Sequence, residues 1–395
     1  MNPLTWLSRR RFTYDPLITI EVSRGRLLSN LAEFRKMAPK PDFAPHGSVA
    51  PVLKSNAYGH GLLEVARILE KDGGHIPFFI VDSYYEAVAL RARSIKAPLL
   101  IIGYTRPETI TASCLKDTAF AVTSLDTLYA LSGSKRASIH LKIDTGMRRQ
   151  GILPEEIDKA IELIRDNKSL VLEGVCTHLC DADNSEDESF TESQISAWNK
   201  AVKHFKAAFP HIRYIHAAAT DGSRYYKDIE ANVLRLGIGL YGLSENAALN
   251  ASLDLRPVMS MKTIVTCIKR LKSGETVGYG KTFKAKNDMT IATVPVGYFE
   301  GLDRRLSSEP NGDARGIILV GEKRLPCPIV GRVSMNITTI DVSAVHRVKA
   351  GDQAVIFSDV PSDGNSIAST ANRCGTITYE IAVKIPAHLK RVVVD

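Results

Sequence analysis

The sequence contains no apolar run that approaches the ~20 residues needed by a membrane-spanning helix. Its six cysteines form no close-spaced pair of the kind found in zinc or redox sites, so we expect free thiols in a reducing compartment. A short Leu/Trp patch near the start comes before residues 9–11, which are all arginine, whereas a secretory signal puts its charge first. These absences predict a cytoplasmic protein without a membrane partner.

The charge balance is basic but does not indicate a nucleic-acid partner. Lysine and arginine number 51 against 43 acidic residues, a net charge of +8, yet the basic residues are scattered and no nucleic-acid-binding motif is present. A basic balance also suits an enzyme that binds a phosphorylated cofactor and a carboxylate substrate. With 395 residues, the chain has room for two domains, one of barrel size.

The first two thirds of the sequence alternate apolar runs with helical patterns such as 64–70, 155–164 and 194–209. Several runs are almost entirely apolar, as expected for parallel strands that are buried on both faces. Eight such strands predict a (β/α)8 barrel of the TIM type, with a doubly wound open sheet as the alternative. The predicted strands are 49–53, 78–81, 99–102, 120–122, 139–143, 170–177, 213–216 and 233–236.

From about residue 255 the runs become short, rich in Val, Ile and Thr, and separated by Gly, Asp, Asn or Pro, which is typical of an all-β region. The fold class is therefore α/β: a barrel over 18–252, followed by a mostly-β C-terminal domain over 253–395. One short helix is expected at 366–372. The predicted strands of this domain are 259–267, 289–296, 316–320, 330–333, 337–342 and 353–357.

A single lysine stands at the mouth of a glycine-containing loop. The predicted strand 49–53 leads into Lys54, and a helical pattern follows the loop. A lysine at a strand end, flanked by Tyr58 and by glycines that allow close packing, can form a Schiff base with a carbonyl cofactor. A surface lysine in an ordinary strand-to-helix loop is the alternative, and this stretch alone favours neither.

Residues 54–61 read Lys-Ser-Asn-Ala-Tyr-Gly-His-Gly and resemble, almost residue for residue, the pyridoxal-phosphate lysine motif of the alanine racemase family. Segments at four other strand ends, 140–151, 177–178, 216–220 and 235–242, align with that family in order. In the β domain, 274–283, 295–298, 331–335 and 379–380 match further blocks. The resemblance covers nearly the whole chain and implies a barrel that binds pyridoxal 5'-phosphate. It also implies that segment 1–17 joins the β domain, adding a strand within 5–17.

The resemblance implies that Lys54 carries the cofactor and that Arg235 faces its ring nitrogen. Because an arginine is effectively always charged, Arg235 disfavours a positive charge on that nitrogen, and the ring becomes a weaker electron sink. That predicts rapid return of a proton to Cα and little transamination. His178 is expected to lie against the ring. The residues expected around the phosphate are Tyr58, Thr220, Gly237, Ile238 and Tyr379. The implied cofactor-binding residues are therefore Lys54, Tyr58, His178, Thr220, Arg235, Gly237, Ile238 and Tyr379.

Racemisation takes a proton from one face of Cα and returns it to the other, which a single group cannot easily do. The resemblance implies Lys54 and Tyr279 as the two bases, with Tyr279 entering from the partner subunit of a head-to-tail homodimer. It also places Arg149 and Met335 at the substrate. Lys142 matches a lysine that is carbamylated in some members of the family.

Several positions depart from the family pattern, and three of them bear on the substrate. Arg148 replaces a glycine, Ala219 replaces an asparagine, and Asn336 replaces an aspartate. A lost carboxylate and an added cation leave the substrate range open, and tolerance of acidic or larger amino acids is a hypothesis.

The expected activity is conversion of L-alanine to D-alanine for peptidoglycan precursors. A racemase of broad specificity, acting on serine, lysine or other amino acids, is one alternative. A second is a pyridoxal-phosphate amino-acid decarboxylase, which also joins a barrel to a β domain but has an acidic residue where Arg235 stands. A third is a cofactor carrier without catalysis, although such small relatives lack the β domain.

Overall fold

Eight parallel strands wind into a barrel between residues 49 and 236. The structure is a computed structural model that describes residues 15–42, 44, 47–133, 136–309 and 313–395. Each predicted barrel strand is present, and the predicted fold class is confirmed. The barrel strands are Val49–Pro51, Phe79–Val81, Leu99–Ile101, Thr118–Val122, Ala137–Lys142, Leu170–Cys176, Tyr214–His216 and Leu234–Leu236.

Hydrogen bonds close the sheet into a ring. The second to seventh barrel strands form one continuous parallel ladder, and the first strand pairs with the eighth. A bridge between Val52 and Ile80 joins the first strand to the second. A bond from the Arg235 N–H to the Ala218 carbonyl (3.2 Å) joins the eighth to the end of the seventh. Side chains at the carboxyl ends of all eight strands therefore converge on one mouth.

Amphipathic helices cover the outside of the barrel. In Ile157–Asp166, for example, the buried residues Ile157, Ala160, Ile161 and Ile164 recur at helical spacing along one face. The helices predicted within 64–70, 155–164 and 194–209 are all present. Helix Arg24–Met37 was not predicted from the sequence. The barrel helices are Arg24–Met37, Leu62–Asp72, Tyr84–Ala92, Pro107–Ala112, Leu125–Ala130, Ile157–Asp166 and Ser189–Ala208, and Ala247–Ser252 follows the last strand.

The second domain consists mainly of antiparallel strands. Its six-stranded sheet has the order Leu325–Pro328, Ile317–Val320, Gln353–Phe357, Met259–Ile264, Thr19–Ser23 and Lys390–Val394. A three-stranded sheet contains Cys267–Leu271, Met289–Val294 and Thr338–Asp341, and Thr276–Val277 pairs with Phe283–Lys284. Two helices, Ile367–Cys374 and Thr378–Val383, complete this domain, and the second lies against Gly59 of the barrel.

The structure corrects several strand predictions in this domain. Residues 330–333 form no strand, because Gly331 has φ +73° and its N–H bonds to the Ser308 hydroxyl (2.9 Å) instead of a ladder. The predicted strand 259–267 ends at Ile264, and its last residue, Cys267, begins a separate strand that belongs to another sheet. Leu325–Pro328 was missed because it contains two prolines, which are tolerated at this sheet edge.

Thr19–Ser23 belongs to the sheet of the second domain although it precedes the barrel. It pairs antiparallel with Met259–Ile264 and parallel with Lys390–Val394. The strand expected within 5–17 lies largely outside the described residues, which begin at 15. Among the residues that the structure describes, no helix is long and apolar enough to cross a membrane, and no group of His, Cys, Asp or Glu is arranged to hold a metal ion.

Candidate active site

A cavity of about 490 Å³ opens at the carboxyl ends of the barrel strands. It gathers all the predicted cofactor residues and two further predicted residues, and it leaves out Tyr279 and Met335. The predicted residues that line it are Lys54, Tyr58, Lys142, Arg149, His178, Thr220, Arg235, Gly237, Ile238 and Tyr379. Strand ends that are far apart in the sequence thus supply one pocket, as the barrel geometry requires.

The residues after Lys54 form a turn of left-handed helix, which we call the lysine turn (Ser55–Tyr58, φ between +51° and +57°). Left-handed helical geometry costs L-residues roughly 1–2 kcal/mol each, so surrounding contacts must hold it. Gly59 ends the turn at φ +82°, and a Cβ there would collide with the Ala382 carbonyl oxygen. Gly59 of the lysine motif is therefore required both for its backbone angle and for its close approach to the second domain.

Arg235 is buried at the centre of the cavity floor and is held by histidines. Its Nη1 donates to Nδ1 of His216 (3.1 Å), and its Nη2 donates to Nδ1 of His178 (3.2 Å) and to the Ala217 carbonyl (2.5 Å). The described residues include no carboxylate in an ion pair with Arg235. Burial, followed by the charge of Arg235, keeps the pKa of both His178 and His216 well below the ordinary histidine value. Both rings are therefore neutral and serve as acceptors.

Hydroxyl groups surround the other end of the cavity. Burial raises the pKa of Tyr58 and of Tyr379 far above the ordinary tyrosine value, so both keep their protons and remain donors. The Thr220 Oγ1 accepts from the Gly239 N–H (3.1 Å). At Gly237 a Cβ would lie 2.9 Å from the Tyr58 hydroxyl oxygen, so only glycine keeps this end open. Neutral donors around an open pocket end suit a bound anion.

Two basic residues occupy the side of the cavity. Burial lowers the pKa of Lys142 from 10.5 to about 8, with smaller contributions from the charges of Arg235 and Arg149. At pH 7 roughly one tenth of this amine is therefore neutral and nucleophilic, far more than for an ordinary lysine. Arg149 lines the cavity but is exposed, which suits a cation that meets an incoming carboxylate.

Tyr279 and Met335 lie on the second domain, and within one chain the structure does not bring them to Lys54. Their exposed fractions are 72% and 55%. Tyr298, Phe299 and Ile337 of the same domain are also exposed. Large apolar side chains concentrated in this way are typical of a surface that another protein covers.

The positions that depart from the family pattern have clear local settings. Arg148 has φ +56°, a left-handed conformation that glycine adopts without strain. Ala219 lines the cavity. Asn336 donates from Nδ2 to Oε1 of the buried Glu300 (2.6 Å), where an aspartate would bring two carboxylates together. Its amide therefore satisfies a neighbour of its own chain.

The sequence reading missed three residues around the cavity. Cys176 and Asp82 line it directly. Glu86 accepts hydrogen bonds from the first backbone N–H groups of the lysine turn. A serine three residues before Glu86 is a capping-box pattern that follows a predicted strand, and this signal could have marked Glu86 as a residue at the barrel mouth.

Known protein families and known proteins match this chain over nearly its full length. The family model "Alanine racemase, N-terminal domain" matches residues 22–245, and "Alanine racemase, C-terminal domain" matches 258–393. The chain is 35% identical over 381 residues to alanine racemase 2 of Oceanobacillus iheyensis, covering 94% of this chain and 92% of that relative. It is 32% identical over 382 residues to the alanine racemase of Methanococcus maripaludis, covering 95% and 98%.

Solved structures also match this chain over nearly its full length. Alanine racemase from Clostridium difficile 630 superposes with a TM-score of 0.86 at 28% identity, covering 97% of both chains. A histidine racemase from Leuconostoc mesenteroides also superposes, with a TM-score of 0.81 at 24% identity, covering 97% of this chain and 99% of that one. At that identity the second likeness bears on the fold alone.

Proposed function

This chain belongs to the alanine racemase family, and we propose that it catalyses the pyridoxal-phosphate-dependent racemisation of alanine with Lys54 and Tyr279 as its two bases. The observation that carries the proposal is the shared cavity of Lys54 and Arg235, in which the arginine has neutral histidines as partners. A decarboxylase needs an acidic group in place of Arg235, so this arrangement favours racemisation.

The cavity residues fit pyridoxal phosphate. The protonated hydroxyls of Tyr58 and Tyr379, the Thr220 hydroxyl and the unhindered backbone at Gly237 suit a phosphate, and Lys54 lines the same cavity. When bound, pyridoxal phosphate supplies the electron-withdrawing group that makes the Cα proton of an amino acid removable. In this proposal His178 lies against the ring, and Ile238 offers its backbone N–H to the phosphate.

Arg235 sets how strongly electrons are withdrawn from Cα. It keeps its charge, and its hydrogen bonds to His178 and His216 fix the plane of the guanidinium. A fixed cation beside the ring nitrogen disfavours a second positive charge there. The proton therefore returns to Cα quickly, and side reactions that need stronger electron withdrawal are slow.

Two groups on opposite faces of Cα exchange its proton. Lys54 serves one face. Tyr279 is exposed on the second domain of its own chain, so in our proposal it serves the other face of the partner subunit's cavity. The exposed apolar side chains of Tyr298, Phe299 and Ile337 support a homodimer, because such a surface is stabilised when it is covered.

The remaining predicted residues bind and orient the substrate. Arg149 holds the carboxylate of the amino acid, and Met335 of the partner subunit contacts it from the other side. Lys142, with its pKa near 8, has enough neutral amine to react with carbon dioxide, and the resulting carbamate would pair with Arg149. We propose alanine as the main substrate. The supply of D-alanine for peptidoglycan and a cytoplasmic location both remain predictions.

Incubation of the purified protein with L-alanine in D2O tests the proposal. We expect loss of optical rotation together with deuterium at Cα, since both follow from exchange of the Cα proton. Absence of both changes would overturn the proposed function. Release of carbon dioxide instead would favour the decarboxylase alternative.

A further inference from the structure

One carboxylate accepts hydrogen bonds from the backbone N–H groups of two neighbouring segments at the barrel mouth. Oε1 of Glu86 accepts from the N–H groups of Ser55 (2.7 Å) and Asn56 (3.4 Å). Oε2 of the same residue accepts from Asp82 (2.8 Å) and Ser83 (3.3 Å). The side chain therefore links the start of the lysine turn to the loop after the second barrel strand.

The lysine turn needs such support. Its four residues all have left-handed φ values although none is glycine, so its conformation is unfavourable without neighbours that select it. Like the first turn of any helix, it also begins with N–H groups that lack a partner within the turn. The Glu86 carboxylate supplies an acceptor for two of these groups, and charge-assisted bonds of this type are stronger than neutral ones.

The bond to Ser55 acts directly on the lysine. The Ser55 N–H and the Lys54 carbonyl belong to one planar peptide group, so fixing the N–H fixes the orientation of that plane. The direction in which Lys54 leaves the backbone follows from it. At the other end of the turn, Arg391 donates to the Gly59 carbonyl from Nη2 (2.8 Å) and Nε (3.3 Å). The two ends are thus held by separate side chains.

A simpler interpretation makes Glu86 only the cap of its own helix, Tyr84–Ala92. The capping box is present, since Ser83 Oγ accepts from the Glu86 N–H (3.2 Å). That motif uses the bond from the N-cap N–H to Oε2 and leaves Oε1 without a role. The bonds from Ser55 and Asn56 to Oε1 lie outside the capping box and join residues about thirty positions apart in the sequence.

We propose that Glu86 is a positioning residue that holds the lysine turn in the geometry in which Lys54 reacts. The inference rests on the proposed role of Lys54. It assigns to Glu86 an effect on the rate of proton transfer that does not depend on contact with cofactor or substrate.

Glu86→Gln tests this role in the pyridoxal-phosphate-loaded enzyme. Glutamine has nearly the same shape as glutamate, but one of its two terminal atoms is an NH2 nitrogen that donates hydrogen bonds instead of accepting them. One of the two pairs of backbone N–H groups therefore loses its acceptor. Glu70→Gln is a matched control, because Oε1 of Glu70 also accepts from two consecutive N–H groups, those of Lys96 (2.6 Å) and Ala97 (2.8 Å). This pair precedes a barrel strand and so lies at the end of the barrel away from Lys54.

Two measurements are compared between the variants. Amide hydrogen exchange over residues 53–58 should become roughly tenfold or more faster in Glu86→Gln and stay unchanged in Glu70→Gln. The kcat for L-alanine should fall roughly tenfold or more in Glu86→Gln, with KM within about twofold of the original value, because displacement of a reacting group affects the chemical step. Glu70→Gln should keep both kinetic constants.

Exchange over 53–58 that stays unchanged in both Glu86→Gln and Glu86→Asp would overturn the inference, as would faster exchange with an unchanged kcat or an equal loss of kcat in the control. If Glu86→Gln does not fold, Glu86→Asp replaces it, since it keeps the charge but its shorter side chain withdraws the carboxylate from Ser55. The same outcomes then apply. Failure of the unaltered enzyme to racemise alanine would contradict the proposed function instead, and the exchange comparison would still report on the Glu86 bonds.

Discussion

Arg235 donates through Nη1 to Nδ1 of His216 (3.1 Å), and Nε2 of His216 lies 2.8 Å from Nδ1 of His140. A neutral imidazole thus occupies the position at which a carboxylate would ordinarily pair with a buried arginine. Burial, aided by the charge of Arg235, lowers the pKa of His140 to about 3 and keeps that of His216 well below its ordinary value. The positive charge of Arg235 is therefore not neutralised on its inner side.

Arg235→Glu should convert part of the racemase activity into side reactions. An acidic partner would favour a proton on the ring nitrogen and strengthen electron withdrawal, so the Cα proton would return more slowly. We expect kcat for racemisation to fall by roughly 100-fold or more, and up to one equivalent of pyruvate per active site to form from alanine, because the amino group would pass to the bound cofactor. Arg235→Lys, which keeps a cation, should lose activity without forming pyruvate. Equal pyruvate from both variants would contradict the mechanism.

Complementation between two inactive variants tests whether the active site is shared between subunits. Lys54→Ala and Tyr279→Phe should each remove racemisation. After the two proteins are mixed, dissociated and reassociated, each mixed dimer would contain one cavity with both bases intact. About a quarter of the original activity should return, because half the dimers are mixed and each has one complete site. A mixture that stays inactive would place both bases in one chain.

The modification of Lys142 should depend on pH. Only the neutral amine reacts with carbon dioxide, and the pKa of Lys142 is lowered to about 8 by burial. At constant dissolved ¹³CO2, the carbamate signal in a ¹³C NMR spectrum should increase strongly from about pH 7 to pH 9 as the neutral fraction rises from roughly 10% to 90%. Lys142→Arg should show no such signal, and a signal of equal size in that variant would assign it elsewhere.

The lowered pKa of Lys142 also has a stability consequence for the unmodified protein. Between the folded pKa of about 8 and the ordinary value of 10.5, the unfolded chain binds more protons at this site than the folded one. The contribution of Lys142 to the free energy of unfolding therefore rises with pH across this window. The comparison with Lys142→Met by denaturant unfolding at several pH values measures it.

Arg148→Gly should stabilise the protein and narrow its substrate range. Glycine adopts the φ of +56° without strain, so the free energy of unfolding should rise by ~0.5–1 kcal/mol. If Arg148 helps to bind acidic side chains, the rate on glutamate relative to alanine should fall. Arg347→Gly is a matched control, because Arg347 has φ +55° in the second domain. If the unaltered enzyme accepts only alanine among alanine, serine, lysine and glutamate, the hypothesis of wider tolerance is wrong.

Much of the barrel could be predicted because its strands are apolar on both faces and its helices bury one regular stripe. The second domain was harder. Leu325–Pro328 carries two prolines, which a sheet tolerates mainly at its edge, and Lys390–Val394, which begins with two cations, is also an edge strand. An edge position depends on neighbours that a local pattern does not reveal.

The motif around Lys54 predicted where a reactive lysine lies but not the shape of the backbone that carries it. Left-handed angles at Ser55 and Ala57 contradict their local preferences and are selected by distant residues. The sequence did not reveal the role of Glu86 for the same reason, since its capping pattern accounts for Oε2 alone and not for the bonds to Oε1 from Ser55 and Asn56. Contacts between segments that are far apart in the sequence leave no periodic signal.

The strand Thr19–Ser23 has its two sheet neighbours at Met259–Ile264 and Lys390–Val394, so the whole barrel is inserted between the first strand of the second domain and the next. The barrel's own pairings join strands that are mostly close in sequence, and they can form while later segments are still being synthesised. The six-stranded sheet cannot be completed until residues 390–394 have been synthesised. We therefore expect assembly to run from a nearly finished barrel to a late closure of this sheet.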